Sequence, residues 1–424
     1  MALRLKISTF GYYQPFLLMT EQAKKENLHL SGAALLPQEE HLETGRRKKR
    51  ISIGIPKDSE LTEKRIAFTP EAVNILVESG NEIFIQEGAG EGSNFSDNDY
   101  SENGATICKT NDEVYKCDLV IKISPFTKQE VDKLRGRQIV MSYLKVLKQS
   151  EDVLRSLIRK NVTAISFERI KDKHNQLPVV ESMSEINGIT SVLIASEYLS
   201  NQHGGKGVML GGIAGVTPTE ILIIGGGTAG EFAARAAIGL GSVVKVFDNS
   251  LHTLRRFQSS IGQRLQTSVY HPTVIKKALK SADVLIGAIE IEDLRPWYQI
   301  TEDMIQLMKK GSVVIDLSID RGGCIETTEC REMEDPVYEK HGVIHFSAWN
   351  LPSRVARTAS IAFSNVFTPL IQEMADAGGL DNMIKYTSGI SHGVYIYKGI
   401  LTNETLGQKF GILSKDINLL LAAF

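Results

Sequence analysis

Residues 221–248, ILIIGGGTAGEFAARAAIGLGSVVKVFD, constrain this chain more than any other stretch. Four aliphatic residues run into Gly225, Gly227 and Gly230, an alanine-rich segment follows, and a second apolar run, 243–247, ends on Asp248. A lone GxGxxG says little. Here a strand precedes it, a helix follows it, and an acid lies 18 residues beyond Gly230, so the stretch reads as a βαβ unit built for a dinucleotide. Gly225 permits the tight turn, Gly227 lets the backbone approach a pyrophosphate, and Gly230 lets the helix pack on the strand. Thr228 and Ala229 open that helix, whose free N–H groups and dipole favour a phosphate. Asp248 is placed to accept the adenosine ribose hydroxyls, which argues for NAD over NADP because a 2′-phosphate would meet its negative charge.

A chain of 424 residues is too long for one ordinary core, so two domains are expected. The charge balance, −2 overall, gives no electrostatic reason for a nucleic acid or an anionic membrane as partner. Cys108, Cys117, Cys324 and Cys330 are too few and scattered for a disulfide framework, and without CxxC spacing or a histidine pair no metal site is expected. Reduced thiols and a cytoplasmic setting follow as expectations. No stretch approaches the roughly 18 consecutive apolar residues of a membrane span. The apolar N-terminus is interrupted by Lys6, Gly11, Gln14 and Pro15, with no small-residue cleavage pattern after it. Residues 1–50, ending in a basic run at 46–50, therefore read as a solvated N-terminal extension.

From residue 51 the chain alternates. Strands are expected over 51–55, 82–86, 119–123, 138–143 and 163–167, with helices between them over 70–78, 112–116 and 151–159. Thr69 as cap and Pro70 at the first helical position mark the first helix start. The apolar spacing of 183–199 predicts a long helix buried on several sides, and the glycine-rich 204–215 predicts a loop or short hairpin. After Asp248, helices over 251–259, 272–282 and 303–308 alternate with strands over 284–288, 312–317 and 342–347. A second long helix is expected over 354–375, ended by Gly378 and Gly379, and the tail returns to pack on the first domain. The expected fold class is α/β: two Rossmann-like, doubly wound domains. Residues 51–180 and 355–424 form a discontinuous substrate domain, 181–354 the nucleotide domain, and long helices join the two.

Several separated motifs together resemble one family: alanine dehydrogenase and the related NAD-binding subunit of proton-translocating transhydrogenase. They are IGIPKDSELTEKRIAFTPEAV (53–73), QEGAGEGSNFSD (86–97), DLVIKISP (118–125), LPVVESMSEINGI (177–189), GGKGVMLGGIAGV (204–216), the glycine loop, DLSIDRGGCIE (316–326) and AWNLPSRVARTAS (348–360). The resemblance implies an active site between two Rossmann-like domains, an amino or keto acid as substrate, and a homo-oligomer, commonly a hexamer. It places Arg65 at the family's substrate-carboxylate arginine, a role that suits a guanidinium's bidentate fork. It places Asp320 at the catalytic aspartate, where a carboxylate can move protons at the amino group or hold the attacking water. Ser184, Asp248 and Asn350 match positions that contact the cofactor, and Ile289 lies in the loop beside the nicotinamide.

Two positions depart from the pattern. Ser124 stands where the family's dehydrogenases carry a substrate-binding lysine, and Lys145 stands where they carry a histidine acid/base. Strand period puts Lys122 on the same face as Ser124, so Lys122 is expected to cover part of the lost charge, while Lys145 and Arg65 bind a carboxylate and Asp320 handles protons. Three functions remain open on these residues. The first is an alanine dehydrogenase-like enzyme that transfers hydride from C2 of L-alanine to NAD and releases pyruvate and ammonia. The others are a transhydrogenase-type subunit that passes hydride to another protein, and an NAD-binding protein without catalysis.

Overall fold

The computed structural model describes residues 50–60, 62–146, 149–291, 299–386 and 388–423; the N-terminal extension lies outside them. Among the described residues two open α/β sheets form. The first holds β1 (Ser52–Ile55), β2 (Glu82–Gln86), β3 (Thr106–Cys108), β4 (Leu119–Ile121), β5 (Ile139–Ser142) and β6 (Thr163–Ser166). The second holds β7 (Glu220–Ile224), β8 (Val243–Phe247), β9 (Gln266–Ser268), β10 (Val284–Gly287), β11 (Val313–Asp316), β12 (Val337–Lys340) and β13 (Val343–Phe346). The chain then returns to the first sheet with β14 (Val394–Tyr397) and β15 (Ile400–Leu401), giving the orders β15-β14-β6-β5-β4-β1-β2-β3 and β12-β13-β11-β10-β7-β8-β9. Parallel pairing dominates both sheets; β14, β15 and β12 run antiparallel at their edges. The central strands are buried on both faces, as helices covering both sides of a parallel sheet require.

Both sheets reverse strand order across their parallel strands, so each opens a crevice at its carboxyl end. The short strands β3, β9 and β12 carry no clear pattern in the sequence because they are only three or four residues long. Each is an edge strand or next to one, where burial imposes little pattern.

Two helices connect the sheets. The helix Pro178–Tyr198 starts earlier than its apolar spacing suggests, because Pro178 takes the first helical position. Its first half closes on the first core through Val179, and its second half on the second core through Val192, Ile194 and Ala195. Gly188, between those halves, lies against the helix Thr228–Gly239: a Cβ there would stand 2.3 Å from the Ala229 carbonyl oxygen. Only glycine allows the two helices to approach so closely. The returning helix, Ala356–Asp376, buries Ala359, Phe363, Phe367, Ile371 and Met374 at intervals of three and four. Phe363 and Phe367 stack 5.5 Å apart, with Phe167 beside both. Residues 204–215 form turns with one isolated bridge, Ile213 to Val216.

Candidate active site

The segment that follows β1 carries Asp58, Glu60, Glu63 and Arg65, and three serines from a distant part of the chain hold it. Ser353 Oγ accepts the Lys64 N–H at 2.9 Å, Ser360 Oγ accepts that of Ile66 at 2.9 Å, and Ser364 Oγ accepts that of Thr69 at 2.8 Å. Backbone donors that no strand satisfies are thereby paired, which locks the loop's shape. Arg65 then meets Glu63 through two bonds, Nε to Oε1 at 2.7 Å and Nη2 to Oε2 at 2.6 Å. The pair is nearly dry, with side chains 11% and 1% exposed. Burial works against the arginine's charge, but the Glu63 carboxylate more than compensates and its pKa rises above the ordinary value. Nη1 points to Met183 Sδ at 3.5 Å, and the guanidinium lies 5.3 Å from the Phe363 ring centre.

Tyr143 and Lys145 follow β5. Lys145 adopts a left-handed backbone, φ 42°, that turns its side chain toward the second sheet's loops. Its ammonium lies 3.3 Å from Glu60 Oε2 and 4.1 Å from the centre of the Trp349 indole. Glu168 and Arg169 follow β6. The Glu168 carboxyl is buried and accepts the Leu144 N–H at 3.0 Å, tying the ends of β5 and β6 together. Burial pushes its pKa up, and its hydrogen bonds only partly offset that.

Loops from the second sheet close the other side. Asp320 sits in a 3-10 turn after β11, exposed beside Arg321. Arg321 lies 3.7 Å from Glu290 and next to the Tyr143 hydroxyl; burial opposes its charge, and Tyr143 with Asp320 raises its pKa. Burial, with Glu168 and Asp320 nearby, pushes the Tyr143 phenol up to about 12, so it is protonated at neutral pH. Asn350, in a left-handed conformation at φ 64°, donates to Glu63 Oε2 at 3.2 Å and so joins the two sides. Together these loops enclose a cavity of about 430 Å³ whose wall includes Arg65, Ser124, Tyr143, Lys145, Asp320 and Asn350.

Lys122 lies elsewhere. Its fully buried ammonium is 2.8 Å from Glu130 Oε1 and 3.5 Å from Asp58 Oδ1, and it is absent from the cavity wall. The expectation that Lys122 supplies the missing charge is corrected: β4 ends at Ile121, and a buried ammonium is held by carboxylates rather than by a substrate. Ser124 does line the cavity, but its N–H and hydroxyl both donate to Asp58. Asp58, Glu60, Glu63, Glu168 and Arg321 were all unread in the sequence. The acids at 58, 60 and 63 share the segment 53–73 with Arg65, and that proximity is their signal in the sequence.

The nucleotide loop lies beyond the cavity wall. A Cβ on Gly230 would stand 2.0 Å from the Gly225 carbonyl oxygen, so the helix sits directly on the turn. Gly227 faces open space, with no atom within 4 Å of a Cβ placed there, which leaves room for a pyrophosphate against the backbone. Asp248 spans the loop: its Oδ2 accepts the Gly226 N–H at 2.8 Å and its Oδ1 that of Ser250 at 2.7 Å. Thr228 and Ala229 form the first turn of the helix, and Ser184 lies one turn before Gly188, which packs against Ala229. Ile289 is held at the β10 end, where its carbonyl accepts the Ser318 hydroxyl at 2.6 Å. The residues present fit a bound dinucleotide. Among the described residues no His, Cys, Asp and Glu group is arranged for a metal, and no helix is long and apolar enough to cross a membrane.

Residues 54–187 match the family model described as alanine dehydrogenase/PNT, N-terminal domain, and residues 191–404 match its C-terminal domain. An alanine dehydrogenase of Staphylococcus saprophyticus is 35% identical over 366 residues, covering 86% of this chain and 98% of that protein. Alanine dehydrogenase 2 of Staphylococcus aureus is 36% identical over 368 residues, covering 87% and 98%. A solved L-alanine dehydrogenase superposes with a TM-score of 0.80 at 31% identity, covering 85% of this chain and 99% of that one. A transhydrogenase from Sinorhizobium meliloti shares the fold, with a TM-score of 0.72 at 23% identity over 84% and 99%. With both domain models matched in order and relatives covered almost end to end, the chain belongs to the alanine dehydrogenase/PNT family of NAD-dependent oxidoreductases.

Proposed function

We propose that this protein is an NAD-dependent amino-acid dehydrogenase of the alanine dehydrogenase type. For L-alanine the balanced reaction consumes NAD⁺ and water and yields pyruvate, ammonium, NADH and a proton. The observation that carries the reading is the meeting of Arg65 and Asp320 in one cavity from two different sheets. Bound NAD supplies the hydride acceptor. Arg65 offers Nη1 to the substrate's α-carboxylate, and because Glu63 already orients its guanidinium, little side-chain entropy is lost on binding. Asp320, exposed on the opposite wall, accepts the proton that the substrate's ammonium must lose before C2 can give up hydride. Asp320, exposed to solvent, releases that proton, then takes one from the water that attacks the imine carbon and returns it to the nitrogen as ammonia departs. Tyr143, on the cavity wall and protonated at neutral pH, donates to the developing carbonyl oxygen.

The test is NADH oxidation with ammonia and a panel of 2-oxo acids. Turnover of one or more of them supports the reading. Silence across the panel, with NADH still bound, overturns it and favours a transhydrogenase-type subunit.

Asp248 supports NAD as the dinucleotide, since its carboxylate lies across the glycine loop where a ribose 2′-hydroxyl would be accepted. Asp248→Ser is expected to raise the ratio of kcat/KM for NADP to that for NAD at least tenfold, read from initial rates with each cofactor. An unchanged ratio would remove Asp248 from cofactor selection.

A further inference from the structure

Asp316 ends β11 inside the molecule, 1% exposed, and takes no part in the steps above. Its carboxylate is ringed by donors. Oδ1 accepts the Ser318 N–H at 2.9 Å, and Oδ2 accepts those of Cys324 at 2.8 Å and Ile325 at 3.1 Å. The Thr328 hydroxyl lies 3.0 Å from Oδ2 and 2.7 Å from the Ile325 carbonyl, and Cys324 Sγ lies 3.5 Å from Oδ1. Burial and the neighbouring Asp316 push the Cys324 pKa up, so the sulfur is a thiol and can donate. Among the described residues no cation pairs with Asp316. Burial raises its own pKa and these hydrogen bonds oppose the rise; each of these groups can donate, so together they satisfy the ionised form.

A desolvated carboxylate with no cation beside it is costly, and an apolar residue would fill the space with less penalty. What the carboxylate adds is a grip on both ends of one turn. Ser318 stands two residues before Asp320, and Cys324 four residues after it. Between them the chain doubles back: Arg321 and Gly323 donate to the Ser318 carbonyl at 2.9 and 3.0 Å, and Gly322 and Gly323 are left-handed, φ 110° and 79°. A Cβ on Gly323 would stand 2.9 Å from Asp316 Oδ2, so the turn closes directly on the carboxylate. The Ser318 hydroxyl, bonded to the Ile289 carbonyl, extends the hold to the loop after β10. β11 is paired on both sides, with β10 and β13, so the sheet fixes the residue that fixes the turn.

We propose that Asp316 is a positioning residue, which holds the turn bearing Asp320 and Arg321, and through Ser318 the loop at Ile289, in the geometry that proton transfer requires. The proposal rests on the dehydrogenase reading above. A displacement of roughly 1 Å at a reacting group can lower a rate about a hundredfold, so a buried carboxylate that acts only through the backbone still reaches the rate.

Steady-state kinetics of Asp316→Asn, alone and combined with Asp320→Asn, test the proposal. The amide keeps the size but offers oxygen on one side only, so either Ser318 or the Cys324 and Ile325 pair loses its acceptor. Asp316→Asn is expected to lower kcat at least tenfold. The KM for the 2-oxo acid and the Kd for NADH, from fluorescence titration, should stay within threefold, because Arg65, the glycine loop and Asp248 lie on other segments. On the Asp320→Asn background the same substitution is expected to cost less than twofold, since no proton acceptor is left to position. If Asp316→Asn does not fold, judged by thermal unfolding, Thr328→Val replaces it; this variant removes one donor and keeps the charge, and is expected to lower kcat at least threefold with the same lack of additivity. An unchanged kcat, losses that multiply with those of Asp320→Asn, or weakened substrate and NADH binding alongside the fall in kcat would overturn the proposal. The two readings fail separately. A wild type that turns over no 2-oxo acid overturns the dehydrogenase and, with it, any role of Asp316 in the rate. An active wild type with one of the three outcomes above removes Asp316 alone.

Discussion

Arg65→Met is expected to raise the KM for the 2-oxo acid roughly a hundredfold, the effect of removing a charge-assisted contact to a carboxylate. It is also expected to destabilise the fold by about 3–5 kcal/mol, because it strands a buried charge. The Glu63 side chain is 1% exposed and takes two hydrogen bonds from the Arg65 guanidinium; with the arginine gone, only the Asn350 amide among the described residues remains on that carboxylate as a side-chain donor. The two effects can be separated. Adding Glu63→Gln removes the stranded charge, so the double variant should recover most of the stability lost, measured by urea unfolding, while its KM stays high. If the double variant regained normal KM, Arg65 would be an architectural partner of Glu63 and no ligand of the substrate.

Asp320→Asn is expected to lower kcat by about 10²–10⁴-fold, the range for loss of a positioned general acid or base. The amide keeps the size and hydrogen bonding of the carboxylate but cannot accept the ammonium proton or activate water. Asp320 is exposed in a short turn, so the fold should tolerate the change, and NADH should still bind, because the glycine loop and Asp248 lie on other loops. Steady-state rates with saturating NADH and ammonia give the measurement. A kcat within a few-fold of wild type would place the proton chemistry on another group, with Tyr143 the first to examine.

Much of the fold was legible because its signals are local. The glycine loop, the strand before it and the acid after it form one contiguous stretch, and alternating strands and helices imply a parallel sheet wherever crossovers are helical. Strands β3, β9 and β12 were missed because short edge strands carry no burial pattern. The helix starts at Pro178, ahead of the periodic apolar run, because proline takes the first helical position without a hydrogen bond to lose.

The positions of the charged residues were much less legible. Spacing put Lys122 and Ser124 on one face of a strand, yet the strand stops at Ile121 and both residues turn to Asp58. Nothing in the run of residues around Arg169 or Arg321 marks a cavity.

The sequence by itself determined that this chain folds as α/β units, that one unit takes a dinucleotide, and that Asp248 stands at its rim. Those properties follow from backbone freedom, hydrophobic period and short-range spacing. Only the tertiary structure decided which cations are already spent. Arg65 is locked to Glu63, Lys122 is buried between Asp58 and Glu130, and Lys145 is held beside Glu60 and the Trp349 ring. Whether a charge is available to a ligand depends on its desolvation and on its nearest opposite charge, and packing sets both between segments far apart in the chain.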